Sequence, residues 1–489
     1  MNKAMETKRK QMDMLHGPLL KKILLFALPL ALSGILQQLF NSADVAVIGW
    51  FEDSNAQAAV NSNGSLINLL INLFTGLSVG VTVVISEHIG RNEKEDIHSM
   101  VFTAAILALA SGVLLLAVGI AIASPVLKAM DVPAQVLPLA TKYLQVYFLG
   151  MPFLMIYNFG SAILRSVGDT RRPLYSLIVA GVLNIGLNLL FVAVFKMSVV
   201  GVAIATVVAD AVSALCVIFF IMKNETLRIR FKKSKIRAKY LKRIFSIGLP
   251  AGLQGIVFSL SNVCIQTAIN GFGDKAMAGS GDALYFEYYV YYFVSAFAQA
   301  AVTFVSQNFA AGNYDRCRKI FRLNMLASLA ITTVLSLTFA LGGKLFIRIY
   351  TSDEEVIKFA LIRMICVLSG EMLPCTYEIA GGALRGIGHS LLPALITVVG
   401  SCVLRIVWVY SIFKLYPDNF YVLMIIYPIS WVATGAAMLI SYFVISRREF
   451  KGKQSQPPDK SDGGREEVTD IDAAFEDKEI NDGAQPLEA

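Results

Sequence analysis

The sequence predicts an all-α membrane protein with twelve transmembrane helices in two six-helix bundles, which a parallel internal repeat relates. Three observations support this prediction. Of the 489 residues, 56% are hydrophobic and only 16% are charged, whereas a soluble globular chain carries about 25% charged residues. The apolar residues fall into long runs, and motifs of the first half recur in the second. This composition excludes a disordered protein, a disulfide-rich secreted scaffold and most soluble enzymes.

Twelve segments are long and apolar enough to cross a bilayer, because a spanning helix needs about 20 mostly apolar residues. The first follows a charged arm without a small-residue cleavage site, so we expect a membrane helix there rather than a removed signal peptide. The predicted spans 1 to 12 are, in order, residues 23–50, 57–85, 98–123, 137–164, 174–195, 200–222, 244–270, 278–306, 320–341, 355–384, 393–414 and 424–445.

The predicted domains follow from these spans. They are a cytoplasmic arm (1–22), an N-terminal six-helix bundle (23–222), a basic cytoplasmic linker (223–243), a C-terminal six-helix bundle (244–446) and a disordered acidic tail (447–489). The net charge of +8 sits between apolar segments, which argues against nucleic-acid binding. Lysine and arginine number about 29 on the side of both termini and about 6 on the other, so the positive-inside rule places both termini in the cytoplasm.

An internal repeat relates the two halves at an offset of 220 or 221 residues. The recurring motifs are Leu28-Pro29 with Leu249-Pro250, Val81-Thr82 with Val302-Thr303, and Leu-Arg-x-x-Gly-x4-Pro starting at Leu164 and at Leu384. Since each half holds six spans, both halves enter the membrane in the same sense, which makes the repeat parallel. A duplication kept only for stability, a channel, a receptor or an intramembrane enzyme would also carry a repeat, but two bundles around a cleft favour a carrier.

Ionisable side chains inside the spans are candidate functional residues, because each costs about 2.5–3.5 kcal/mol at the centre of a membrane helix. Asp44 is the clearest of them. Helical spacing places Asp44 on one polar stripe with Ser33, Gln37 and Asn41, and this stripe should face the bundle interior. Pro29, earlier in the same span, is a hinge candidate because proline kinks a helix.

Spans 5 and 6 carry further polar pairs at i and i+4. Two nearby carboxyls in a low-dielectric environment favour keeping one of them protonated, which suits a proton-coupled carrier. The predicted ion-coupling residues are Asp44, Asn184, Asn188, Thr206 and Asp210. The predicted substrate-binding residues are Gln37, Asn41, Asn68, Asn158, Glu287, Tyr288 and Gln299.

Simpler interpretations of these residues stay open. Polar side chains also hold membrane helices together, at about 0.6 kcal/mol per contact, and this explains the asparagines of spans 2 and 5 as well as a functional role does. In span 8, Glu287 and the tyrosines around it suit a lipophilic cation, but tyrosines near an interface also form an ordinary aromatic belt. We expect Arg405 to pair with one of the glutamates of its half. The six cysteines and four separate histidines predict no metal site.

Several motifs, taken together in chain order, give residues 19–450 a resemblance to a known family. They are Leu28-Pro29, Gln37, Asn41-x-x-Asp44 and Gly49 in span 1, Leu-Arg-x-x-Gly-x4-Pro in both halves, Asn184 in span 5, Gly201-Val-Ala-Ile-Ala-Thr206 in span 6, and Phe297-x-Gln299-Ala-x-x-Thr303-Phe304-Val305-x-Gln307-Asn308 in span 8. In these the chain resembles the MATE family, the multidrug and toxic compound extrusion transporters, in its prokaryotic type.

The resemblance implies export of organic, often cationic, compounds driven by inward H+ or Na+ flux. It also implies that Asp44 takes part in ion coupling, with partners at Asn184, Asn188 and Thr206. Position 188 is commonly an acid in similar proteins, and position 210 is commonly Gln or apolar. Our hypothesis is that Asp210 supplies the carboxyl that span 5 lacks. Gln254 is neutral where some sodium-coupled relatives carry an acid, which favours H+.

The sequence therefore predicts a cation-coupled antiporter of the cell (cytoplasmic) membrane rather than an enzyme. We expect a monomer that binds amphipathic or cationic small molecules and the lipid bilayer but no nucleic acid. We expect no cofactor and no metal besides the coupling ion, with Na+ at the Asp44 residues as the alternative to H+. The principal rival is a flippase for a lipid-linked substrate, which would need a more basic cleft. A receptor or an intramembrane enzyme is a weaker rival.

Overall fold

The structure is a computed structural model that describes residues 12–52, 54–130, 132–230 and 234–454. All regular elements in these ranges are helical. The uninterrupted helices of spans 1, 2, 3, 6, 7, 8 and 9 are Leu19–Phe51, Ser54–Gly90, Lys94–Ala129, Ser198–Lys223, Ala238–Asn270, Asp274–Ala310 and Tyr314–Leu341. Span 5 is Arg171–Asn188, continued by a π-helical turn at Leu189–Val194.

The other four spans are interrupted. Span 4 is Leu137–Leu149 and Met151–Ser166, and span 10 is Glu354–Cys366, a 3-10 turn at Leu368–Gly370, and Pro374–Gly386. Span 11 is Leu391–Thr397, a π-helical turn at Val398–Val403, Leu404–Tyr410 and Ile412–Leu415, and span 12 is Phe420–Met424 and Ile426–Gln454. A short helix, Gly343–Ile347, precedes span 10.

The prediction of an all-helical, multi-pass membrane protein is confirmed. Within the described ranges, ten helices are long and apolar enough to cross a bilayer, and the bent span 4 makes an eleventh. Span 10 differs from the single helix that we predicted. Its two helices have 13 residues each, which is too short to cross alone. Pro374 explains the break, because proline has no backbone N–H with which to continue the helix.

Span 4 breaks in a similar way. Its two helices meet at an angle of 49° around Gly150, and Pro152 occupies the first turn of the second helix. Pro152 and Pro374 stand at nearly the offset of the internal repeat. Both halves therefore interrupt their fourth span at a proline. The apolar run alone did not indicate this break.

The predicted boundaries shift at both ends of the chain. The first helix begins at Leu19 rather than at residue 23, and the last continues to Gln454. The prediction of a disordered tail is therefore wrong for residues 447–454, since the first strong helix breaker, Pro457-Pro458, comes later. The predicted tail beyond 454 and the predicted arm before residue 12 lie outside the described residues.

Two glycine motifs join the halves, which we call the N-half (12–222) and the C-half (244–446). Span 2 carries Gly76 and Gly80, span 7 carries Gly248 and Gly252, and these two helices pack closely. A Cβ added at Gly248 would lie 2.6 Å from Leu77 Cα. Only glycine permits backbones to approach so closely, as in the small-xxx-small motifs of membrane helices.

Polar contacts reinforce this junction at the end where the connections after spans 2, 4, 6, 8 and 10 lie, which we call the basic end. Arg243 forms an ion pair with Glu87 at 2.7 Å. Gln307 Nε2 donates to Ser166 O at 2.6 Å, and Ser306 Oγ donates to Val83 O at 3.1 Å. The two halves are thus held together from the glycine motifs to the basic end.

The segment before span 1 also contributes to this closure. Asn308 Nδ2 donates to Met14 O at 3.1 Å, and Arg316 Nη2 donates to His16 O at 2.9 Å. Both donors belong to the C-half, so this N-terminal segment ties span 1 to spans 8 and 9.

The glycine junction yields a stability prediction. Gly252→Ala should lower the unfolding free energy by about 1–3 kcal/mol, which is typical of overpacking a close contact, because the new Cβ would lie 2.9 Å from Leu73 Cα. The matched control is Gly186→Ala, where a Cβ meets nothing within 4 Å. Thermal unfolding in detergent should show a clear loss for Gly252→Ala alone, and equal melting temperatures for the two variants would contradict the junction.

Candidate functional site

A buried polar cluster forms where spans 1, 5 and 6 meet in the N-half. Asn188 Nδ2 donates to Asp44 Oδ1 at 2.5 Å, and Thr206 Oγ1 lies 3.4 Å from Asp44 Oδ2. Asn188 Nδ2 also donates to Asn184 Oδ1 at 3.1 Å, and Asn184 Nδ2 donates to Thr206 Oγ1 at 3.4 Å. The four residues that we call the Asp44 cluster were each singled out from the sequence.

Local folding explains how these side chains converge. Asn184 and Asn188 stand one turn apart at the end of the span 5 helix, so both amides share one face. Phe40, one turn before Asp44, packs its ring on Gly181 of span 5, and this contact brings span 1 against span 5. Asp44 is only 8% exposed.

The amide of Asn188 has unused hydrogen-bonding capacity. Its Oδ1 atom is buried and has no hydrogen-bond partner. The oxygen and nitrogen of an amide are assigned from the hydrogen-bond network, and the two orientations fill almost the same space. The amide can therefore donate to an ionised Asp44 carboxylate or, after a flip, accept from a protonated one. The cluster can accommodate both states of the carboxyl without a new side chain.

Asp210 lies outside the hydrogen bonds of the Asp44 cluster, one turn along span 6 from Thr206. Its Oδ2 atom would be 3.5 Å from a Cβ at Gly150, where span 4 bends. Asp210 is nevertheless close enough to Asp44 for their charges to interact, and Tyr143 and Tyr147 of span 4 lie within range of the charges of both carboxyls. The two acids are neighbours in one half, but they do not share a hydrogen bond.

The predicted substrate residues do not form one group. Gln37, Asn41 and Asn68 are exposed, and Asn158 and Gln299 are partly buried. Along the polar stripe of span 1, Asp44 is buried, Ser33 is partly buried, and Gln37 and Asn41 are exposed. That the whole stripe faces the bundle interior stays a prediction. Pro29 lies inside the span 1 helix, and Ser33 Oγ donates to its carbonyl oxygen at 2.8 Å.

Glu287 is not an isolated carboxylate. Arg363 of span 10 contacts it through Nε at 2.6 Å and Nη2 at 2.8 Å, and Arg363 Nη1 donates to Ser280 Oγ at 2.7 Å. The expectation that Arg405 pairs with a glutamate is wrong for the described residues. Sequence reasoning missed Arg363, although it lies inside predicted span 10 among apolar residues. The burial of Glu287 and of Arg363 makes this bidentate pair a structural one.

A cavity of about 150 Å³ lies in the C-half, away from the basic end. It adjoins the Glu287–Arg363 pair and Tyr288 of span 8. Tyr288 is 39% exposed, and its ring lies 6.5 Å from that of Tyr292. Of the predicted substrate residues, Glu287 and Tyr288 therefore share a cavity.

The histidines do not all stand apart as predicted. The turn after span 2 folds back, so that ligand atoms of His88, Glu93 and Asp96 lie within 4.8 Å of one another. Asp96 is already engaged in an ion pair with Arg237 at 2.8 Å, and His88 Nε2 lies 3.3 Å from Glu93 Oε2. We assign this group to the polar closure of the basic end.

Comparisons with known proteins agree with this architecture. The MatE family model matches residues 29–190 and 250–411, more than half of the chain. Its two matched segments are offset by 221 residues, as the sequence motifs are, which confirms the internal repeat. The chain is 27% identical to the probable multidrug resistance protein YpnP of Bacillus subtilis, over 72% of this chain and 78% of the relative.

A second relative and a solved structure extend the match. The probable multidrug resistance protein YoeA of Bacillus subtilis is 26% identical, over 76% of this chain and 82% of its own length. A crystal structure of MATE in complex with MaL6 superimposes with a TM-score of 0.84 at 20% identity, covering 90% of this chain and 98% of that one. The fold is thus that of the MATE transporters, with twelve helices in two bundles, and the chain belongs to the MatE family.

Proposed function

We propose that the protein exports organic amphipathic compounds, often cationic ones, across the cell membrane in exchange for an entering cation, and that this cation is a proton. The names of its relatives as multidrug resistance proteins support the substrate class. The observation that carries the coupling proposal is the setting of Asp44. It is a buried carboxyl within hydrogen-bonding reach of side chains on two other spans.

Protonation of Asp44 would alter the contacts that hold spans 1, 5 and 6 together. An ionised carboxylate accepts from the Asn188 amide and the Thr206 hydroxyl. A protonated carboxyl gains an O–H donor at one oxygen and keeps an acceptor at the other. Its O–H can donate to Thr206 Oγ1, which keeps its own bond to Val202 O at 3.0 Å, while the Asn188 amide still donates to the other oxygen. The contacts of span 1 with spans 5 and 6 are therefore what a proton would change.

Coupling requires that substrate and proton favour different states of one conformational equilibrium. The halves meet along the glycine motifs and at the basic end. A molecule closed at the basic end would be one state of an alternating-access cycle. We propose that protonation of Asp44 weakens substrate binding while the end opposite the basic end is open. The substrate would then leave on the side from which the proton came.

The charge distribution supports an orientation for this cycle. The basic end carries most of the lysine and arginine residues of the connections, and cytoplasmic loops are enriched in these residues. We propose that the basic end and both termini are cytoplasmic and that the structure is open outward. Because a single chain contains both halves and the complete Asp44 cluster, we propose that the monomer is the transporting unit.

The oxygens of the Asp44 cluster could instead hold Na+. The carboxylate, the Asn184 amide, the Asn188 amide and the Thr206 hydroxyl are all oxygen ligands. Sodium dependence of transport separates the two ions.

One prediction of this proposal concerns Asp44. In liposomes containing purified protein, an imposed pH gradient without sodium should drive transport of the fluorescent cation ethidium by the wild type. Asp44→Asn should abolish it, because the amide cannot take up a proton. The matched control is Asp418→Asn, an exposed acid between spans 11 and 12, which should transport as the wild type does.

Other outcomes of this assay change the proposal in defined ways. If the wild type transports ethidium only when sodium is added, the coupling ion is Na+ rather than the proton. Undiminished gradient-driven transport by Asp44→Asn would refute coupling at this residue. Failure of the wild type with either ion, followed by movement of a lipid-linked sugar between leaflets, would favour the flippase.

A second prediction concerns Asp210, which we propose as the second coupling carboxyl. Asp210→Asn should abolish gradient-driven transport. Adding Asn188→Asp should restore it, because Asn188 touches Asp44 directly and an acid there would recreate a carboxyl pair. Ethidium efflux driven by the pH gradient measures both variants. Intact coupling in Asp210→Asn would show that Asp210 is not needed.

A further inference from the structure

The C-half cavity lies between spans 7, 8, 10, 11 and 12, and the Asp44 cluster is not part of its lining. Aromatic rings form much of its wall, and four charged side chains reach it. The aromatic residues are Phe258, Tyr288, Tyr291, Tyr377, Tyr427 and Trp431. The charged residues are Glu287, Arg363, Glu371 and Arg405. With two acids and two bases, the lining has no formal net charge.

Two of these charged groups form an ion pair with each other, and the other two do not. Glu287 and Arg363 form the bidentate pair described above. Arg405 is 1% exposed, and only its Nε has a side-chain acceptor, Ser430 Oγ at 3.1 Å. Its Nη2 atom is buried without a hydrogen-bond partner, and so is Oε2 of Glu371, a residue that is 4% exposed. Within the described residues, Glu371 and Arg405 form no ion pair with each other.

The aromatic rings hold Arg405 in place without completing its hydrogen bonds. The guanidinium carbon lies 4.4 Å from the centroid of the Tyr427 ring and 5.9 Å from that of Trp431. Such cation–π contacts orient the guanidinium but use none of its N–H groups. Unpaired buried donors and acceptors are costly and uncommon in native proteins. An unpaired guanidinium donor and an unpaired carboxyl oxygen thus belong to residues that line one cavity.

The unpaired groups of Glu371 and Arg405 indicate which class of ligand would fit the cavity. A simple cation would meet the Glu371 carboxylate but leave Arg405 unpaired, and a simple anion would do the reverse. A molecule with both charges would satisfy both, and an aromatic ring would suit the walls. We propose that the cavity binds a small aromatic zwitterion, whose carboxylate accepts from Arg405 Nη2 and whose ammonium group donates to Glu371 Oε2.

This site adds a ligand class to the proposed export function without depending on ion coupling. The site lies in the other half from Asp44, and equilibrium binding requires neither a gradient nor transport. A failure of the coupling proposal in liposomes would leave this binding prediction untouched. A failure of zwitterion binding would leave the coupling proposal untouched.

The test is isothermal titration calorimetry on the purified full-length protein in detergent. The probes are two zwitterions with different charge separations, phenylalanine and 4-(aminomethyl)benzoate. Each is compared with its methyl ester, a cation, and its N-acetyl derivative, an anion. At least one zwitterion should bind roughly tenfold or more tightly than both of its derivatives, since each derivative loses one charged hydrogen bond. Binding of neither zwitterion in preference to its derivatives would overturn the proposal.

Two variants assign the charges to their residues. Arg405→Met should remove the advantage of the zwitterion over its methyl ester, and Glu371→Gln should remove its advantage over the N-acetyl derivative. Arg348→Met is the matched control, because it removes a guanidinium that is 55% exposed and should keep the wild-type order. If Arg405→Met or Glu371→Gln fails to fold, the wild-type probe series still decides. An unchanged probe order in both folded variants would contradict the assignment.

Discussion

The hydrogen bond from Asn188 to Asp44 reflects the constraint on which the packing of the N-half depends, namely a buried carboxyl. A carboxyl in an apolar bundle must find donors or lose its charge. Here the donors come from spans 5 and 6, so one acidic side chain of span 1 determines how three helices pack. Asn184, Asn188 and Thr206 each contact another member of the cluster. A change in the protonation of Asp44 therefore cannot stay local, because the same atoms hold the helices together.

The two halves share an architecture and differ in their chemistry. Both break the fourth span at a proline, and both contain a π-helical turn in the fifth. Yet the N-half concentrates its polarity in amides around one acid, whereas the C-half contains arginines, glutamates and aromatic rings around a cavity. The two halves therefore have equivalent frames with different interior side chains. The glycine motifs of spans 2 and 7 let these frames meet at backbone distance.

Much of this organisation was predictable because membrane chemistry leaves clear patterns in a sequence. Apolar length indicated the spans, the constant offset indicated the repeat, and helical spacing grouped Asp44 with its amide partners. The breaks in spans 4 and 10 were missed because hydropathy averages over single prolines such as Pro152 and Pro374. The partner of Glu287 was also missed. Spacing within one helix shows which residues share a face, but only packing between distant helices decides that Arg363, rather than Arg405, reaches that carboxylate.

We propose that substrate and proton compete through Asp44, and a measurement of proton release on substrate binding would reveal this competition. Ethidium would be added to the purified protein in weakly buffered detergent solution near neutral pH, with a pH indicator dye reporting free protons. We expect the wild type to release protons in proportion to the ethidium bound, and Asp44→Asn to bind ethidium without releasing them. Equal proton release from both proteins would refute competition at Asp44, because the exchanged proton would then come from another group.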